Sequence, residues 1–183
     1  MKKIMLTIAA VVFAFTTFAQ KTLPQIKAGT TFSCSAFVQG QEFPLLLSVK
    51  TMDGPVAIAW SVDGYGEGTF EMSKKAADSA SKMLVVTQPS TGVTKLSDNE
   101  TFGLISKAAY KSLIDNKEFS YSGMKFKLKT PATAFKVSGK EMDVSHVVSE
   151  NGSLELWILN HPNFPFIVQS SGMPTDIVVV EIK

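Results

Sequence analysis

The sequence predicts an α+β protein that is predominantly antiparallel β: a curved open sheet, or half-barrel, with two short helices on its concave side. Three observations carry this expectation. Strand-length segments of alternating apolar and polar residues recur along the chain. Asp53-Gly54, Asp63-Gly64, Ser138-Gly139 and Asn151-Gly152 supply turns between them, because these residues tolerate positive φ. Only two segments have helical spacing, and two helices cannot cover both faces of so many strands, so the economical packing bends the sheet around them.

Residues 1–19 read as a signal peptide. Lys2 and Lys3 precede an apolar run from Ile4 to Phe15, and Thr17-Phe18-Ala19 offers small residues for cleavage before Gln20. The run is short of the roughly 20 residues that span a bilayer. No cysteine follows it closely enough to carry a lipid. The expectation is a soluble exported protein, periplasmic or extracellular, with 20–183 as a single β-rich domain and no transmembrane segment after cleavage.

The elements then follow in order. Residues 21–30 read as an extended lead-in and 32–38 as the first strand, with Phe32, Cys34, Ala36 and Val38 on one face. Residues 42–52 form the second, with Phe43, Leu45, Leu47 and Val49 on one face. The third, 56–62, puts Val56, Ile58, Trp60 and Val62 on one side. Ala57, Ala59 and Ser61 on the other are small enough to admit a helix closely. In the fourth, 65–72, Gly64, Gly66 and Gly68 share one face and leave room for another backbone or an apolar group. Ser73 caps a helix to about residue 82, with Ala76, Ala77, Ala80 and Met83 facing inward. A strand at 84–87, a polar loop at 88–99 and a short strand at 101–105 lead to a second helix. Ser106 caps it, and Ala109, Tyr110, Leu113 and Ile114 form its inner side.

From 118 onward the pattern is a meander. Met124, Phe126 and Leu128 alternate with Lys125, Lys127 and Lys129, one dry face and one wet. Strands at 133–137 and 141–149 follow. The closing block, 154–183, is apolar on both faces, which places it mid-sheet. Pro162 and Pro165 lack a backbone donor, so 160–165 is a corner between strands: a stiff connection with Phe164 tucked beneath it, or the rim of a binding mouth.

Composition removes several functions. All 18 basic residues are lysine, against 16 carboxylates, and cleavage of the leader would remove two lysines and leave a neutral chain. Nucleic-acid binding loses both the basic excess and the forked donor it favours. The one cysteine, Cys34, cannot pair within the chain and reads as a buried, inert thiol.

Catalytic patterns are weak. Ser79-x-x-Lys82 and Ser97-Asp98-Asn99 match two elements of penicillin-recognising acyl transferases, in which a lysine one helical turn on activates the serine. The third element, K-T-G, is missing, and the two present lie too close together. His146 and His161 have no ligand spacing for zinc. Asp143, Ser145 and His146 cannot form a triad, since strand neighbours point to opposite faces. Asp63 and Glu67 lack the spacing of a calcium loop. No metal and no cofactor are expected.

The order of meander, helix, strands, helix and meander resembles the lipoprotein-carrier-like half-barrels of the bacterial envelope and related exported domains. The closing run from Trp157 through Phe164-Pro165-Phe166-Ile167 to Val180-Glu181-Ile182-Lys183 is similar to the end of small exported proteins of that group. The chain departs from the carriers in having no evident helix before its first strand. The resemblance implies a hollow that holds acyl chains or lipid-bearing partners, and carries over no individual residue.

The leading expectation is therefore an exported, non-enzymatic binding domain that holds an apolar ligand or a lipid-bearing partner, with Trp60, Phe70, Trp157 and Phe164 at the mouth. The alternative is an envelope interaction or scaffold domain with a protein partner. A serine hydrolase using Ser79 and Lys82 is the remote third.

Overall fold

The computed structural model describes residues 21–183, so the leader expected at 1–19 lies outside the described residues. The first meander comprises β1 (Thr31–Val38), β2 (Gln41–Thr51), β3 (Val56–Val62) and β4 (Gly66–Met72). The middle of the chain carries α1 (Lys74–Ser79), β5 (Lys82–Met83), β6 (Gly92–Lys95), β7 (Glu100–Thr101) and α2 (Lys107–Asn116). The second meander runs through β8 (Glu118–Tyr121), β9 (Met124–Leu128), β10 (Lys136–Val137), β11 (Lys140–Glu141), β12 (Val144–Ser149), β13 (Glu155–Leu159), β14 (Ile167–Ser171) and β15 (Thr175–Ile182).

Eleven of these strands form one open sheet in the order β6-β4-β3-β2-β1-β15-β14-β13-β12-β9-β8. The two meanders join at its centre, where β1 pairs antiparallel with β15, Phe32 opposite Ile182 and Val38 opposite Thr175. The closing block does lie mid-sheet, with β15 between β1 and β14. The sheet is mixed: β6 runs parallel to β4, Gly68 opposite Gly92. The chain reaches β6 from β4 by a crossover through α1 and β5, and a crossover returns a strand in the same direction.

Register fixes what shares a face. Phe32, Leu47 and Trp60 are successive cross-strand partners, as are Cys34 and Leu45, so their side chains stand on one side. That side is dry. Phe32, Leu47, Ile58, Trp60, Phe70 and Met72 are all buried in one cluster that includes Ala76, Ala77 and Ala80 around α1. Helix α1 thus packs with the large residues of β3 and β4. Ala57, on the side predicted to receive the helix, lies outside the cluster. A second cluster gathers Ala109, Tyr110 and Leu113 of α2 with Phe119, Phe126, Val147, Leu156 and Ile158 from the other half of the sheet.

Both helices start at the serines predicted to cap them: Ser73 Oγ accepts from Ala76 N and Ser106 Oγ from Ala109 N. The first stops earlier than its alanine spacing suggests. Ala80 is extended, and the next residue, Ser81, donates both its N–H and its Oγ to Asn99 Oδ1, which draws the chain away.

Several strand expectations change. The strands expected at 101–105 and 133–137 are reduced to β7 and β10, two residues each. Residues 84–87 are not a strand but the start of a loop. The polar loop at 88–99 contains β6. The continuous strand at 141–149 is split into β11 and β12, because the lead-in inserts there: Thr22 bridges to Met142, and Asp143 N donates to Thr22 O at 2.8 Å.

Candidate functional site

The turns β1–β2, β3–β4 and β14–β15 all fall at one end of the sheet, since Val38 pairs with both Gln41 and Thr175. Under this end lies a cavity of about 400 Å³. Its wall comes from alternate positions of four adjacent strands: Ala36 and Val38 of β1, Phe43, Leu45 and Leu47 of β2, Trp60 and Val62 of β3, and Ile177 of β15. Phe70 and Phe102 close one side, their rings 4.1 Å apart. Phe43 and the exposed Tyr65 meet edge to face at 5.3 Å, also in the wall. The space is partly open to solvent, a concave apolar cleft of the kind of which a protein carries few.

A strap crosses the cavity. Residues Leu84, Val86, Thr87, Gln88 and Pro89 line it, and they lie in the segment between β5 and β6. The strap is tied at both flanks: Leu84 N donates to Thr101 O at 2.7 Å, and Thr175 Oγ1 donates to Val86 O at 2.7 Å. The alternation of Leu84, Val85 and Val86 reads as a strand, but the residues find no partner strand and present two apolar side chains to the cavity instead.

Trp60 is the most informative residue of the wall. It is 3% exposed, and its indole Nε1–H is the one buried side-chain polar atom without a hydrogen-bond partner among the described residues. The indole lies over the glycine row of β4. A Cβ on Gly68 would stand 2.7 Å from Trp60 Nε1 and 2.8 Å from Gly92 O, closer than real contacts allow. The glycines do provide the space that their placement on one face predicts, and the first occupant is the edge of Trp60.

Of the four residues expected at a mouth, the structure brings two together. Trp60 and Phe70 both line the cavity. Trp157 does not. His146, Trp157, Gln169 and Val178 are register partners in turn, on the opposite side from Val179 and its partner Cys34. There Trp157 stacks on His146 with centroids 3.9 Å apart and donates its Nε1–H to Thr133 O. Phe164 is 1% exposed and stacks on Phe166, which in turn stacks on Phe32 at 4.3 Å. The 160–165 corner is a connection with Phe164 beneath it, and not part of the cavity wall. Missed as site residues were Ala36, Phe43 and Leu45, which sequence alone cannot tell from core, and the strap, whose partners are remote in sequence.

The other constellations resolve into structural contacts. Ser79 is the last residue of α1 and returns its Oγ to Lys75 O, while Lys82 lies beyond the helix in β5, so the one-turn spacing of a serine–lysine pair is not formed. Asp98 accepts from Ser73 Oγ at 2.7 Å and pairs with Lys75. Ser145 bonds Asn160, while His146 points to the opposite face. His146 Nδ1 accepts from Thr133 N, so Nε2 carries the proton and donates to Glu155 at 2.6 Å, and Lys129 holds the other side of that carboxylate. Burial pushes His146 below its ordinary pKa, outweighing the carboxylate beside it. Burial also drives the Cys34 thiol up to about 12. Among the described residues no group of three or more His, Cys, Asp or Glu side chains is placed to hold a metal, and no helix is long and apolar enough to cross a membrane.

No protein-family model matches the chain, and no curated protein matches it significantly.

Proposed function

We propose that the protein is an exported binding domain that holds one apolar ligand, such as an acyl chain, in the cavity under the strap. The reading takes the sheet as a half-barrel with both helices on its concave side, as the resemblance to envelope carriers implies. Its support is that the α1 cluster, the strap and the cavity wall share the face that carries Phe32, Leu47 and Trp60.

The observation that carries the proposal is the cavity itself. At about 400 Å³ it lies within the roughly 300–1,000 Å³ range of small-molecule sites. Its wall is aromatic and aliphatic with a few polar groups, the composition such sites have. Sheet-edge recognition of a protein partner has less behind it. The β6 edge is four residues long and ends in Lys95, a blunted edge rather than a docking one.

The test is titration with an environment-sensitive apolar fluorophore, N-phenyl-1-naphthylamine, against wild type and Ala36→Phe. Ala36 is buried in the cavity wall, and a phenyl group there fills part of the space. Saturable one-to-one binding that weakens at least tenfold in Ala36→Phe is expected. Absence of saturable binding, or equal binding by a folded Ala36→Phe, contradicts the proposal.

A further inference from the structure

The cleft has a buried end and a wet end. Of its wall, Leu47, Trp60, Phe70 and Ile167 are buried, Val38, Phe43 and Val62 are half-buried, and Tyr65 and Gln88 are exposed. The exposed members lie at the β3–β4 turn and on the strap, and the half-buried ones at the strand ends beside the β1–β2 and β3–β4 turns. The buried members lie farther along the same strands, and Ile167 begins β14 at the end away from its turn with β15. The mouth is therefore at the turns. An alkyl chain gains by reaching the buried end, and a polar group at its other end keeps its water at the mouth. A molecule with one apolar chain and one hydrated head matches this gradient.

The charges around the mouth have one sign. The segments that frame it are 36–47, 60–70, 170–177 and the strap, and they contain Glu42, Asp63, Glu67 and Asp176 but not one of the chain's 18 lysines. Among the described residues none of these four carboxylates is in an ion pair, whereas Asp78, Asp98, Glu118 and Glu155 elsewhere all pair with lysine. Lys82, just before the strap, is exposed and lies opposite Glu100 of β7. Asp176 is engaged by its own turn, accepting from Ser170 Oγ, Gly172 N and Met173 N. Glu42 alternates with Phe43 and Glu67 with Gly68, so both stand on the side of the sheet away from the cleft. They act on a head group through their field and not by contact. That field reaches about 30 Å at 0.01 M salt and about 3 Å at 1 M, so it crosses the thickness of the sheet in dilute buffer and is screened in strong salt.

Resting on the reading of the cleft as a binding site, we infer that its occupant is a single-chain amphiphile with a cationic head group, seated chain inward with the head in water at the turns. The unpaired carboxylates of the rim attract that head and disfavour an anionic head on the same chain.

The experiment compares dodecyltrimethylammonium, dodecyl maltoside and dodecanoate, which share one chain and differ in head charge. Each is used below its micelle-forming concentration at pH 8 to displace N-phenyl-1-naphthylamine. The proteins are wild type, the double variant Asp63→Asn, Glu67→Gln, and Asp53→Asn, which removes one carboxylate at the opposite end of the sheet in the β2–β3 turn. At about 0.01 M ionic strength the trimethylammonium compound should bind about tenfold more tightly than dodecanoate, with the maltoside between them, and the gap should shrink to about twofold at about 0.5 M. The double variant should narrow the low-salt gap by about threefold. It should leave maltoside affinity unchanged, which also reports that the cleft is intact, and Asp53→Asn should leave the gap as it is. Dodecanoate bound as tightly as the cation at low salt, or a gap that responds neither to salt nor to the double variant, overturns the inference while the binding reading stands. Failure of all three amphiphiles and of the fluorophore to bind removes the binding reading and the inference with it.

Discussion

Gly68 and Trp60 are joined by a steric condition that a single methyl group tests. The Cβ of Gly68→Ala would meet Trp60 Nε1 at 2.7 Å on one side and the carbonyl of Gly92, in the neighbouring strand, at 2.8 Å on the other. Backbone cannot step aside without breaking the β4–β6 pairing. Overpacking of this kind costs about 1–3 kcal/mol. Urea denaturation of Gly68→Ala should show a loss in that range, and a midpoint equal to wild type would mean that Trp60 is not seated over the glycines.

The histidines set a pH dependence. Burial lowers the pKa of both His146 and His161 in the folded chain. Around the ordinary histidine value of about 6.5 the unfolded chain therefore binds more protons than the folded one. The stability they contribute is complete above that value and is lost as pH falls below it, toward their lowered folded values. Glu155, which faces His146, stays ionised through this window because Lys129 holds its pKa down. Urea midpoints measured from about pH 8 to about pH 5 should decline, and His146→Gln should flatten the decline. A stability that rises on acidification across that window would contradict the burial of neutral imidazole.

Among the elements, the strap is tied to the rest at its two flanks. Its tie to the β14–β15 turn is one side-chain bond, Thr175 Oγ1 to Val86 O. Thr175→Val keeps the shape and removes the donor. The expected result is release of the fluorophore about three- to tenfold faster by stopped flow, with thermal stability little changed. An unchanged release rate would mean that the strap does not gate the cavity. The strap also marks where the sequence misleads. Leu84, Val85 and Val86 have the alternation and β-branching of a strand, yet whether such a run pairs is decided by whether an edge is free beside it. Both neighbours of β4 are already taken, by β3 and β6. β6 shows the converse: its Gly-Val-Thr-Lys lies in a polar, Gly- and Pro-bearing stretch that reads as loop, and it pairs where the glycines of β4 let it approach. Where local signals were strong, in the Asp-Gly hairpins and the two serine caps, the elements stand as the residues predict. Trp60 and Trp157 illustrate the limit. Both are large aromatic residues in mid-strand, and only the long-range register through β1, β15, β14 and β13 puts them on opposite faces.

At the scale of the molecule, pairing of β1 with β15 makes the two meanders one sheet and brings the β1–β2, β3–β4 and β14–β15 turns to one end. Ala36 of β1 is small where its neighbours in the wall are large, so the aromatic rings surround a space rather than close it. In the half of the sheet covered by α2, Phe119 and Phe126 stack at 5.1 Å in a second buried cluster. Calorimetric titration of the wild-type chain with N-phenyl-1-naphthylamine at several temperatures tests the hollow most directly. Burial of the ligand in an apolar interior should give a stoichiometry of one and a clearly negative heat-capacity change, both lost in Ala36→Phe. Heats without saturation, or a heat-capacity change near zero, would contradict an internal apolar site.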